Sequence, residues 1–190
     1  YFSSNNMNYE PVPIETNDEA RQNYEAGRCD VYTTDASGLA STRSALPNPD
    51  DHMVLPEIIS KEPLASVTRD YDSEWNEVVS WVWFGMVTAE ELGVTSQNYQ
   101  SADTSVPAID RLLNENLGLG TADNPLSNTW MRAVLAAAGN YGEAYDDAFC
   151  DGTYDGVSGS ADMTGCLMPR SGTLNALESE GGVQYAPPMR

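Results

Sequence analysis

Residues 25–39, EAGRCDVYTTDASGL, decide how the fold is read. β-branched and aromatic side chains dominate Asp30 to Thr34, and Gly27 stands just upstream as a helix stop, so Cys29 to Thr34 reads as a short β-strand. Asp35 falls where that strand ends, and Ala36, Ser37, Gly38, Leu39 and Ala40 begin a helical pattern. A carboxylate at the carboxyl edge of a strand lies where open α/β sheets bind ligands. A strand-to-helix junction is equally the place for an aspartate that caps a helix. These residues alone leave both readings open.

Working outward, Tyr9 to Glu15, YEPVPIE, reads as a strand that Pro11 and Pro13 confine to an edge or leave partly unpaired. Asn17 or Asp18 caps a helix through Glu25, with Ala20 and Tyr24 on its inward stripe. Downstream, a helix from Ser37 to Ala45 is stopped by Pro47, PNPDD is a turn, and His52 to Ile59 is a third strand. Strand, helix, strand, helix, strand in this order makes a parallel α/β unit with one partner strand still to be supplied at its start.

After Lys61 the pattern becomes helical. Asp72 or Ser73 caps a long helix ending at Gly93, on which Val78, Val79, Val82, Met86 and Ala89 recur at helical spacing. Trp75, Trp81, Trp83 and Phe84 widen that face, so the helix needs cover from more than one side, and exposed Trp81, Val82, Phe84 and Met86 or their neighbours would mark a partner's place. Shorter helices follow at Pro107 to Asn114, Asn128 to Ala138, Tyr141 to Phe149 and Thr173 to Glu180, then an extended tail, GGVQYAPP.

The chain of 190 residues carries 29 acidic and 9 basic side chains, a formal charge of −20, with Lys61 its one lysine. Such a surface suits salty water and disfavours nucleic acid and anionic membranes as partners. No run is long and apolar enough to span a bilayer, so the chain reads as not membrane-embedded. The sequence shows no HExxH, no CxxC, no phosphate-binding glycine loop and no Ser-His-Asp order with plausible flanks. The single histidine, His52, beside Asp50 and Asp51, reads as a surface residue.

Four separated stretches, in one order, carry a family resemblance: GRCDVYTTDASGL at 27–39, LPEIISKEPLASVTRDYDSEWNEVVSWVWFGMVTAEELGV at 55–94, AAGNYGEAY at 137–145 and GGVQYAPPMR at 181–190. Together they resemble the periplasmic solute-binding proteins of general L-amino-acid ABC transporters, over nearly the whole chain apart from an insertion between Asp151 and Pro169. The resemblance implies a type II two-lobed α/β fold, of which residues 1–64 form part of lobe 2. Residues 65–190 would be a helical portion returning to lobe 1, with its insertion at 150–169. It also implies an N-terminal portion of the same protein outside these 190 residues. Implied with it are export to the periplasm, capture of an L-amino acid as the lobes close by hinge motion, and delivery to an ABC transporter permease, with no catalysis and no cofactor.

On that resemblance Asp35 becomes the anion that holds the ligand's α-ammonium. Thr34 is a weaker candidate, since strand alternation turns it to the opposite face. The family's carboxylate clamp has no match here: Arg28, Arg43, Arg69 and Arg132 do not stand at its motif. In an exported protein Cys150 and Cys166, which bracket one Gly-, Ser- and Asp-rich loop, pair as a disulfide. The partner of Cys29 would lie upstream of Tyr1, the bland alternative being a buried thiol. Within the bracketed loop, Asp151, Thr153, Asp155, Gly156 and Asp162 stand at EF-hand spacing. Thr and a short Asp at ligand positions, and no exiting helix, favour a solvated loop over calcium. Two rival functions remain: a dehydratase-like enzyme on the same fold, which needs a second cleft carboxylate of raised pKa, and an interaction module using the insertion.

Overall fold

The computed structural model describes residues 1–61, 63–153 and 164–189. Two compact units divide the chain, Tyr1–Ala65 and Ser66–Arg190.

Unit 1 is built on two helices. Helix α1, Asn17–Glu25, starts at Thr16, whose Oγ1 accepts from the Glu19 amide at 3.3 Å. The cap is thus one residue earlier than Asn17 and two earlier than Asp18, because Thr16 has the extended backbone an N-cap requires. Helix α2, Ala36–Ala45, starts at Asp35 and packs on the short turn Pro49–Asp51. Arg43 reinforces that contact by donating from Nε to the Pro49 carbonyl at 3.0 Å. Tyr24 reaches from α1 to His52, Oη to Nδ1 at 2.8 Å, so His52 is a half-buried hydrogen-bonded residue rather than a bare surface one.

The three expected strands do not form. Among the described residues no ladder exists, and segments 9–15, 29–34 and 53–59 make no backbone–backbone hydrogen bonds. β-propensity expresses itself only when a neighbouring strand completes the pairing, and none of the three pairs with another.

Unit 2 is a helical assembly around α3, Ser73–Glu91, capped by the Asp72 carboxylate on the Trp75 amide at 3.2 Å. Helices α4 (Pro107–Asn114), α5 (Trp130–Ala138) and α6 (Tyr141–Phe149) all pack on it, and α4 also packs on α5. Their shared core includes Val87, Val94, Leu112, Leu113, Met131 and Leu135, all essentially solvent-free. Helices α3 and α5 approach so closely at Gly85 that a Cβ there would lie 2.5 Å from Met131 Sδ. The break between α5 and α6 comes from Gly139, whose φ of +72° favours glycine, and from a capping box of Asn140 and Glu143.

Of the residues expected to stand exposed on this helix, Met86 is buried and Trp81, Val82 and Phe84 pack partly against the core, while their neighbours Trp75 and Trp83 are exposed. Helices α4 to α6 supply that cover, leaving Trp75 and Trp83 as the exposed indoles of α3. Helix α5 begins at Trp130, two residues late, and Thr173 to Glu180 yields only a 3₁₀ turn at Glu178–Glu180. The tail does pack: Ala186 and Met189 are buried, and Arg111 Nη1 donates to the Met189 carbonyl at 2.7 Å.

Candidate functional site

Asp35 sits at the head of α2 with an extended backbone, and its carboxylate does the work of a helix cap. Oδ2 accepts from the Gly38 amide at 2.7 Å and from Ser37 Oγ at 2.6 Å. Oδ1 receives only a longer bond, 3.3 Å, from Thr34 Oγ1. The Ser37 hydroxyl and then the Gly38 amide hold the Asp35 carboxyl below the usual carboxylate range, so it is charged at neutral pH. An ionised carboxylate with one oxygen nearly unengaged can accept a further donor. Thr34 does not face away from Asp35, because its segment is not a paired strand and the alternation argument lapses. An open groove of about 300 Å³ lies beside this pair, lined by Thr33, Thr34, Ile59 and Ser60.

The two candidate cations of unit 1 are engaged elsewhere than at Asp35. Arg28 donates to Asn23 Oδ1 at 3.1 Å, and Arg43 serves the Pro49 turn. Arg132 spends three nitrogens on the Leu113 and Tyr99 carbonyls and on Asn114 Oδ1, at 3.1, 3.0 and 3.0 Å.

Cys150 and Cys166 form the disulfide, and Cys29 is a free, half-buried thiol. The neck of the bracketed loop is closed further by Leu167 N to Phe149 O at 2.8 Å and Asp151 N to Thr164 O at 3.2 Å. Of the calcium-loop candidates, Asp155, Gly156 and Asp162 lie outside the described residues. Asp151 turns Oδ1 to the Thr153 amide at 2.8 Å and Oδ2 to Thr164 Oγ1 at 2.6 Å, and these bonds, the Thr164 hydroxyl first, lower its pKa. Among the described residues no three metal-ligating side chains converge.

Sequence reading missed a buried charge cluster in unit 2. Arg170, at 0% exposure, forks onto Glu90, at 1%, with Nη1 to Oε2 at 2.9 Å and Nη2 to Oε1. The guanidinium carbon lies 4.9 Å from the Tyr141 ring centroid and 5.8 Å from that of Tyr145. Burial drives the Tyr141 hydroxyl up to about 12, the nearby guanidinium pulling the other way. The Tyr141 and Tyr145 hydroxyls donate hydrogen bonds to the Asn175 and Met168 carbonyls at 2.7 and 3.0 Å. The cluster clamps α3, α6 and the segment around residue 170 together, and with every group turned inward it is architectural. Glu91, whose carboxyl is raised by desolvation and then by Glu178 and Glu90, also belongs to this unit.

No protein-family model matches the chain. It is 42% identical over 193 residues to the general L-amino acid-binding periplasmic protein AapJ of Rhizobium johnstonii, covering 100% of this chain and 52% of that protein. It is 42% identical to the glutamate/glutamine/aspartate/asparagine-binding protein BztA of Rhodobacter capsulatus, covering 53% of it. It is 38% identical to the putative amino-acid ABC transporter-binding protein YhdW of Escherichia coli, covering 52% of it. A solved periplasmic binding protein from Brucella ovis with glutathione bound superposes with a TM-score of 0.83 at 38% identity, over 100% of this chain and 56% of that one. The chain therefore spans about half the length of the curated relatives it matches, and its fold is part of the two-lobed binding-protein fold. Matched from end to end at 38–42% identity, the chain is homologous to part of the periplasmic amino-acid-binding proteins of ABC transporters.

Proposed function

We propose that the chain is part of a periplasmic protein that captures an L-amino acid and presents it to an ABC importer. In this reading residues 1–64 belong to lobe 2, residues 65–190 to the helical return to lobe 1, and an N-terminal portion completes both. Asp35 holds the α-ammonium, with Thr34 beside it. The observation that carries this is the state of the Asp35 carboxylate: ionised, fixed in orientation by Ser37 and Gly38 through Oδ2, and open to a new donor at Oδ1. A cap and an ammonium ligand are here one group, because the bonds that seat the helix also aim the second oxygen. The relatives' names describe binding and transport, which favours capture over chemistry.

Asp35→Asn separates the two duties, since asparagine caps a helix about as well as aspartate but carries no charge. Calorimetry on the longer protein carrying these residues should show amino-acid affinity falling by about 2–5 kcal/mol with the melting transition unmoved. Unchanged affinity would return Asp35 to a purely capping role.

A further inference from the structure

Four α-helices among the described residues are capped by a side chain that accepts from the amide of the third helical residue, and that residue differs among them. Thr16 accepts from Glu19 at 3.3 Å, Asp72 from Trp75 at 3.2 Å and Asn140 from Glu143 at 2.9 Å, so a cap tolerates a full side chain there. Asp35 accepts from Gly38 at 2.7 Å, the shortest of the four bonds. Capping therefore does not account for a glycine at this position. Nor does the backbone: Gly38 lies inside α2 and is not one of the positive-φ glycines, and alanine is the better helix former. What the glycine leaves open is space against the carboxylate. A Cβ on Gly38 would lie 3.1 Å from Asp35 Oδ2, 3.2 Å from Oδ1 and 3.1 Å from Thr34 Cγ2, each closer than ordinary van der Waals contact. Ser37 acts on the same carboxylate from its other side of the bond network, donating from Oγ to Oδ2 at 2.6 Å.

We propose that Gly38 and Ser37 are positioning residues for amino-acid capture: the missing Cβ of Gly38 admits the Asp35 carboxylate to a pose that Ser37 fixes, and that pose presents Oδ1 to the α-ammonium. The inference deepens the functional reading and rests on it, since it takes Asp35 to be the group that meets the ammonium. Two donors converge on Oδ2, which is thereby spent on the helix, while Oδ1 has the 3.3 Å contact from Thr34. A methyl group at position 38 would press on both oxygens and on the Thr34 methyl at once, so the carboxylate must shift for it to fit. A charge-assisted hydrogen bond loses strength as it leaves its preferred length and angle, so such a shift is felt by the ligand. Neither residue needs to touch the amino acid for this.

The test is calorimetry on the longer protein carrying these residues, with L-glutamine and L-alanine as probes and a melting curve for each variant. Gly38→Ala should raise Kd about tenfold, the worth of one hydrogen bond to a charged group, while the melting transition stays in place or rises. Ser37→Ala should weaken binding likewise, and Ser37→Thr, which keeps the hydroxyl, should restore the wild-type Kd. In the Asp35→Asn background Gly38→Ala should change Kd by about twofold or less, because no charge is left to be aimed. Unchanged Kd in Gly38→Ala, a loss that follows a lowered melting transition, or an equal loss in the Asp35→Asn background each overturns the positioning role of Gly38, and failure of threonine to rescue overturns that of Ser37. Unchanged affinity in Asp35→Asn itself removes the ammonium reading instead, so the two failures are told apart.

Discussion

The two units dispose of their apolar side chains differently. Unit 2 encloses Val87, Val94, Leu112, Leu113, Met131 and Leu135 among four helices and clamps them with a buried ion pair. Unit 1 buries Ala40 and Leu46 while Val31, Met53, Leu55 and Ile58 stand in solvent. The difference teaches where stability is made. Unit 2 draws on area removed from water, whereas unit 1 draws on caps, turns and a few side-chain hydrogen bonds, each worth about a kilocalorie per mole. Substitutions should therefore cost much in one and little in the other.

The largest effect should come from Arg170. Arg170→Met leaves the Glu90 carboxylate buried without its partner, and denaturant titration should show unit 2 destabilised by about 3–5 kcal/mol. Replacing Glu90 by an apolar residue as well should recover most of that loss, since what costs is the lone buried charge. All four tryptophans, at positions 75, 81, 83 and 130, lie in unit 2, so their fluorescence reads this unit by itself. A cost below 1 kcal/mol would mean that the clamp is not what distinguishes the units. Next in size is the disulfide: closing a loop of separation 16, it should contribute about 3 kcal/mol, lost on reduction and visible as an earlier unit 2 transition.

A pH titration sharpens the same contrast. The folded Tyr141 hydroxyl is raised from 10.0 to about 12 by burial, so the folded state holds its proton when the unfolded chain has released it. The stability from this group is intact below pH 10 and falls between pH 10 and about 12. Tyrosinate absorbance should then rise together with unfolding of unit 2, and independent ionisation of Tyr141 in the folded protein would contradict the burial argument. The smallest effect belongs to unit 1. Asp35→Ala removes the cap of α2 and should cost about 0.5–2 kcal/mol, seen as fraying of Ala36–Ala45 by amide exchange with unit 2 unaffected.

What the sequence made legible follows the same divide. Helices announce themselves locally: Asp72 and Pro107 mark starts, Gly139 marks a stop, and Pro107–Asn114 and Tyr141–Phe149 fall where their residues place them. Strands do not, because Cys29 to Thr34 has the right composition but needs a neighbour that composition cannot name. Asp35 is legible as two things at once, and the structure shows the cap through Oδ2, with Oδ1 held by Thr34 at 3.3 Å. Arg170 and Glu90 stayed hidden because they meet across 80 residues, and a charged side chain in a sequence carries no sign of burial. Trp75 and Trp83 look like their neighbours Trp81 and Phe84 until α4 to α6 are in place to cover some and not others.

The closed neck at Phe149 to Met168 has a consequence for how this protein can change. One side is the end of α6, the other is held by the Phe149–Leu167 hydrogen bond, the Tyr145 hydroxyl on Met168 and, two residues on, the buried Arg170 fork. With both sides anchored to the same helices, a length change between Cys150 and Cys166 is absorbed before it reaches the core, at a cost that grows only logarithmically with loop length. The position is therefore a port for insertion, where evolution can lengthen the chain, or an engineer can splice in a reporter peptide, and leave the rest of unit 2 as it is.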